Sequence, residues 1–113
     1  MSRLTRDFAE TVRARAQRDA PFRRALLREA LDSLLEGDIA VAKISLRGYI
    51  NATIGFEPLA AQVDINVKSL MRMLGPTGNP HTAHLLAILT HLQRLEGVRA
   101  RTILDRVPQR KAS

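Results

Sequence analysis

The sequence predicts an all-α protein, a bundle of five to six helices, on three observations. Polar N-cap residues and glycine stops recur along the chain, the apolar residues between them follow a period of about 3.6, and strand signals are nearly absent. At 113 residues and 45% hydrophobic composition, the chain is sized for one compact domain with its own core. The absence of cysteine excludes disulfides and thiolate zinc sites.

Thr5 reads as the N-cap of a first helix with Phe8, Val12 and Ala16 on one face. Asp19 caps a second. Pro21 occupies its first turn, where a missing N–H has no helical partner to lose, and Phe22, Leu26, Leu27, Leu31, Leu34 and Leu35 form an apolar stripe before Gly37. Asp38 opens a third helix, whose Ile39, Ala42, Leu46, Tyr49 and Ile50 keep the helical period until Gly55. Two short helices follow, Glu57 to about Val63 and Val67 to about Leu74, joined by Asp64-Ile65-Asn66. Two prolines and two glycines make Gly75-Pro76-Thr77-Gly78-Asn79-Pro80 an exposed loop with free backbone N–H groups. The last helix, His81 to Glu96, is expected to turn Leu85, Leu86, Leu89, Leu92 and Leu95 inward, with Gly97 closing it. Val98 to Val107 alternates apolar and basic residues in the manner of a short strand, and Pro108 to Ser113 reads as a disordered basic tail. The expected division is an N-terminal two-helix extension (1–36) packed on a helix-turn-helix domain (37–97), then a C-terminal segment and basic tail (98–113).

Lys and Arg number 18 against 11 Asp and Glu, a net of +7, which favours a polyanionic partner. Aromatic residues at 4%, with no Trp, argue against a platform for stacking single-stranded bases. Residues 1–36 hold eight basic and six acidic residues, a mixed surface suited to protein contacts. The excess is greatest after residue 75, in Arg94, Arg99, Arg101, Arg106, Arg110 and Lys111, a candidate arm for tracking a nucleic-acid backbone.

The informative stretch is Phe56 to Leu74. Two short helices crossing at a tight corner need a small residue at their contact and apolar groups at fixed offsets. Ala60 is the small residue, and Leu59, Val63, Ile65, Val67, Leu70 and Met73 are the apolar set. This is the pattern of a helix-turn-helix whose second helix enters a major groove. Leu59 to Leu74, followed by Gly75 to Leu89 with its Gly78-Asn79-Pro80 loop, resembles the Cro and phage-repressor class of lambda-repressor-like domains. Gly37 to about Val98 is similar, more closely, to the addiction-module antidote family, through Leu59-Ala60, Lys68-Ser69-Leu70 and Gly78-Asn79-Pro80. The chain departs from the usual motif at Asp64, where such turns carry glycine. Asp tolerates the left-handed conformation better than most residues.

Geometry assigns roles. Asn66 is placed to cap the second helix, with Val67, Lys68, Ser69, Met71 and Arg72 as base contacts. Lys68 and Arg72 have the chemistry to read guanine O6 and N7, and Ser69 suits a base or a phosphate. Val67 and Met71 read either as contacts to a thymine methyl or as core. Thr77, Gly78 and Asn79, with His81, precede a helix N-terminus and suit a phosphate oxygen, as Asn66 does. His81, His84 and His91 lack the i, i+4 spacing and carboxylate partner of a metal-binding helix, and no nucleophile and base share a face, so neither metal, cofactor nor catalysis is expected. The charged N-terminus lacks a signal-peptide core, which places the protein in the cytoplasm. The expectation is a regulator that binds an operator inverted repeat in double-stranded DNA as a homodimer. The resemblance further implies an antitoxin that binds a small toxin protein and represses its own operon. The alternative is a helical protein-interaction module that no longer reads DNA.

Overall fold

The computed structural model describes residues 3–108. Six helices make up its regular structure: α1 (Arg3–Arg18), α2 (Ala20–Leu35), α3 (Ile39–Ala52), α4 (Phe56–Val63), α5 (Val67–Met73) and α6 (Thr82–Glu96). Thr5 lies inside α1 and is not its N-cap, because the helix already begins at Arg3. The later caps close as their side chains require. The Asp19 carboxylate accepts from the Phe22 N–H at 3.1 Å, and the Asp38 carboxylate from the Val41 N–H at 3.2 Å. Asp19 is the only residue between α1 and α2, so one residue, extended at φ −131° and ψ 90°, both ends one helix and starts the next.

That cap makes stability acid-sensitive. The Phe22 N–H holds the Asp19 carboxyl below its ordinary pKa, against a smaller opposing effect of burial, and Arg15 assists from 3.4 Å. A group whose folded pKa is depressed stabilises above its unfolded pKa, and the contribution disappears as pH falls through the folded value. Asp19→Asn keeps an acceptor without the titrating charge and is expected to flatten this acid limb. Asp19→Ala is expected to lower the melting temperature at neutral pH as well. Denaturant titrations between about pH 2 and 6 separate the two variants; parallel curves for Asp19→Asn and the unmodified chain would refute the assignment.

One cluster forms the core: Leu27 and Ala30 of α2, Leu46, Tyr49 and Ile50 of α3, Leu59 and Ala60 of α4, Leu70 of α5, Leu74 just beyond it, and Ile88, Leu89 and Leu92 of α6. The second helix of the extension therefore shares the core of the helices that follow, packing along α3 with Leu26, Leu31 and Leu34 half-buried. α1 is exposed from Leu4 to Thr11 and meets the body through Val12 and fully buried Ala16, so Phe8 does not join the predicted apolar face. In α6 the inward arc runs through Leu85, Ile88, Leu89, Leu92 and Glu96, whereas Leu86 and Leu95 are exposed. A stripe from 85 to 95 that includes both 86 and 95 is wider than the arc that α6 presents to the core.

A polar network joins four helices. Glu96 of α6, its side chain 3% exposed, accepts from the Tyr49 hydroxyl at 2.7 Å and from Arg23 Nε at 3.1 Å on both oxygens. Arg23 Nη1 also donates to the Ala16 carbonyl of α1 at 2.6 Å. α2, α3 and α6 thus meet at one carboxylate, and α1 joins through Arg23.

Gly97 ends α6 in the left-handed region at φ 71°, its N–H and that of Val98 returning to the carbonyls of Arg94 and Gln93. The expected strand over Val98 to Val107 does not form: among the described residues the stretch has no ladder partner, and it runs on without helix, turn or bend. The basic tail from Gln109 onward lies outside the described residues. Among the described residues no helix is long and apolar enough to cross a membrane.

Candidate nucleic-acid interface

α4 and α5 meet across a three-residue turn whose geometry follows from its first and last side chains. Asp64 takes the left-handed conformation at φ 57°, ψ 48°, which ends α4, and the Ile65 N–H returns to the Ala60 carbonyl at 3.0 Å. It is the only non-glycine residue with positive φ among those described, as expected where such turns carry glycine. Asn66 then caps α5, its side-chain oxygen accepting from the N–H groups of Lys68 (2.9 Å) and Ser69 (3.2 Å). Leu59, Ala60 and Leu70 are buried at the corner, with Val63, Ile65, Val67 and Met73 packed around them. The apolar set predicted from spacing is the set that builds the corner.

Packing the corner leaves Lys68, Ser69, Met71 and Arg72 on the outer side of α5. Lys68 and Arg72 are one turn apart, and among the described residues neither has an ion-pair partner. Val67 is half-buried and joins the core, while Met71 is 53% exposed and does not. Beside α5, Met71, Ile44, Arg47, Asn51 and Phe56 line an open groove of about 400 Å³, which brings a third cation and an amide to the same side.

The loop after α5 is more constrained than its composition suggests. The Gly75 N–H donates to the Arg72 carbonyl at 3.0 Å and the Gly78 N–H to the Gly75 carbonyl at 3.1 Å, so these two donors are occupied within the turn. Gly78 sits so close to the end of α5 that an added Cβ would lie 1.9 Å from the Arg72 carbonyl oxygen. It shapes the loop, and Thr77, Asn79 and His81 are among the exposed residues there, with Pro76. His81 holds the N-cap position of α6 without a side-chain cap bond. The His81 and His84 rings meet edge to face at 5.8 Å, and His91 bonds the Gln62 side chain. Among the described residues no three His, Asp or Glu side chains gather to hold a metal.

Lys43 belongs to this site although its sequence context did not single it out. It is 8% exposed, and its ammonium donates to the carbonyls of Gly78 at 2.7 Å and Pro76 at 3.4 Å. The legible signal is its place between Ala42 and Leu46 on the inward stripe of α3, where a charge is out of pattern. The lysine is retained there because two loop carbonyls satisfy it. α3 thereby sets the loop against α5. No family model, curated protein or solved structure matches the chain.

Proposed function

We propose that the chain is a sequence-specific DNA-binding regulator that acts in the cytoplasm as a homodimer on an inverted repeat, with α5 in the major groove. The observation that carries this reading is the outer side of α5, where Lys68 and Arg72, without an ion-pair partner among the described residues, flank Ser69 on a short, capped helix at a packed corner. Arg72 presents the planar fork that pairs with guanine O6 and N7. The exposed Thr77, Asn79 and His81, next to the first turn of α6, serve a phosphate and fix the register of the reading helix. The resemblance to addiction-module antidotes supports the further step, autoregulation as an antitoxin with a small toxin protein as partner.

The reading predicts two kinds of defect. Arg72→Ala is expected to cost about 1–3 kcal/mol on the preferred site and to relax base preference at one position. Thr77→Ala is expected to weaken specific and random duplex alike. Log affinity against log salt should fall by about 0.9 for each phosphate neutralised. Titrations on the chain's own upstream DNA and on random duplex measure all three, and equal affinity for the two DNAs would overturn the regulator reading. The alternative, a protein-interaction module, draws its support from exposed Leu4 and Phe8 on α1 and from Leu35, Ile39, Val41 and Ile44 along α2 and α3. It predicts a partner bound through these residues and no such preference.

A further inference from the structure

Among the described residues, the segment after Gly97 carries no regular structure. Its root is fixed: Val98 is half-buried against the core, and the Ala100 N–H donates to the Gln93 side chain at 2.8 Å. Beyond that, Ile103, Leu104 and Val107 are 81%, 91% and 82% exposed, and among the described residues no backbone group from Arg101 to Val107 has a hydrogen-bond partner. A run of backbone without hydrogen-bond partners, carrying three large apolar side chains, offers its N–H and C=O groups to a pairing strand. Pro108, with no N–H, ends it.

We propose that this edge is closed by the same segment of a second copy, the two arms pairing antiparallel about a two-fold axis at Ile103. This deepens the dimer part of the reading above and does not depend on its DNA part. The charges of the arm select the register. Centred on Ile103, each Asp105 lies opposite the other copy's Arg101, so two opposite-charge pairs flank an Ile103–Ile103 contact. A slip of one residue in the sum of paired positions, in either direction, sets Arg99 or Arg101 opposite Arg106. Centring on Leu104 leaves Asp105 opposite Ile103. Centring on Thr102 matches Asp105 with Arg99 but carries that pair past Ala100, whose N–H is already engaged. In the Ile103 register the charged pairs fall within the stretch whose backbone is free. A two-stranded ladder alone is marginal and needs a second apolar layer; exposed Leu95, near the root of the arm, offers part of one.

The chain has no cysteine, so a single introduced thiol reports its own partner. Under mild oxidation of the full chain without DNA, Ile103→Cys is expected to form the disulfide-linked dimer at least about tenfold faster than Thr102→Cys or Leu104→Cys, whose distances across this axis are longer. In sedimentation equilibrium, Arg101→Asp and Asp105→Arg should each weaken the dimer at least about tenfold, and combining them should restore it. A monomeric chain, a dimer indifferent to both charge changes, or cross-linking no faster at 103 than at its neighbours would overturn the pairing. If the dimer behaves as expected yet shows no preference for its upstream DNA, the regulator reading fails and the arm pairing stands.

Discussion

Glu96→Ala is expected to cost about 3–5 kcal/mol of stability, the range for removing one member of a buried ion pair. The carboxylate is the common acceptor of Arg23 and Tyr49, and its removal leaves a largely buried guanidinium and a buried phenol without their partner. The loss is not local, because Arg23 also holds the Ala16 carbonyl, so α1 and α2 should loosen with α6. Chemical denaturation gives the magnitude, and hydrogen exchange in α1 tests its spread. A loss below about 1 kcal/mol, the level of an exposed pair, would sink the assignment. Tyr49→Phe removes one donor and leaves Arg23 on Glu96, so a smaller loss of about 1–3 kcal/mol is expected. Burial, then the bond and charge of Glu96, push the Tyr49 pKa well above its ordinary value of 10.0. A group with a raised folded pKa stabilises fully below its unfolded pKa, and the contribution is lost as pH rises toward the folded value. Stability should therefore decline above about pH 10 in the unmodified chain and less steeply in Tyr49→Phe.

This network was hidden in the sequence for a definite reason. Ile88, Leu92 and Glu96 repeat every four residues, which puts Glu96 on the inward stripe of α6, but the exposed Leu86 and Leu95 broaden the apparent apolar stripe and a glutamate adds no apolar signal to it. Its partners lie 47 and 73 residues away, and spacing along a helix carries no information about such pairs. Local chemistry was legible where it closes within a few residues. Asp19, Asp38 and Asn66 each bond an N–H two or three residues on, and each was placed correctly as a cap. Thr5 is not a cap because the start of α1 leaves no other mark in sequence, whereas Asp19 stands two residues before Pro21 and Asp38 directly after Gly37.

The corner of α4 and α5 was legible for a related reason. Its apolar offsets are set by two helices and a turn within 18 residues, from Phe56 to Met73, and the departure at Asp64 from glycine was accommodated in the left-handed region. Legibility ended at the loop. Composition showed that Gly75 to Pro80 is not helical, but not that the Gly75 and Gly78 N–H groups are bonded internally, nor that α3 reaches the loop through Lys43. The strand expected over Val98 to Val107 shows the same limit in reverse. Alternation describes a strand's faces, and a strand also needs a neighbour, which the described chain does not provide.

Gly78→Ala is expected to be the most damaging small substitution in the candidate interface. The new Cβ would lie 1.9 Å from the Arg72 carbonyl oxygen and 2.8 Å from the Arg72 carbonyl carbon and the Met73 Cα, all backbone atoms that cannot rotate away. Either the loop or the end of α5 must move, at a cost of about 3 kcal/mol. Displacing the loop lengthens the 2.7 Å bond from Lys43 to the Gly78 carbonyl, and Lys43→Met, which removes that bond directly, should cost about 1.5–3 kcal/mol. Because both changes act on one contact, the double variant should lose less than the sum of the two, and strict additivity would show that Lys43 does not hold the loop in place. Under the proposed regulator reading, duplex titrations separate holding the loop from touching phosphate. The Lys43 ammonium is buried against two carbonyls, so Lys43→Met should weaken binding to specific and random duplex while leaving the salt slope unchanged. A slope shallower by about 0.9 would instead mean that the ammonium meets a phosphate directly.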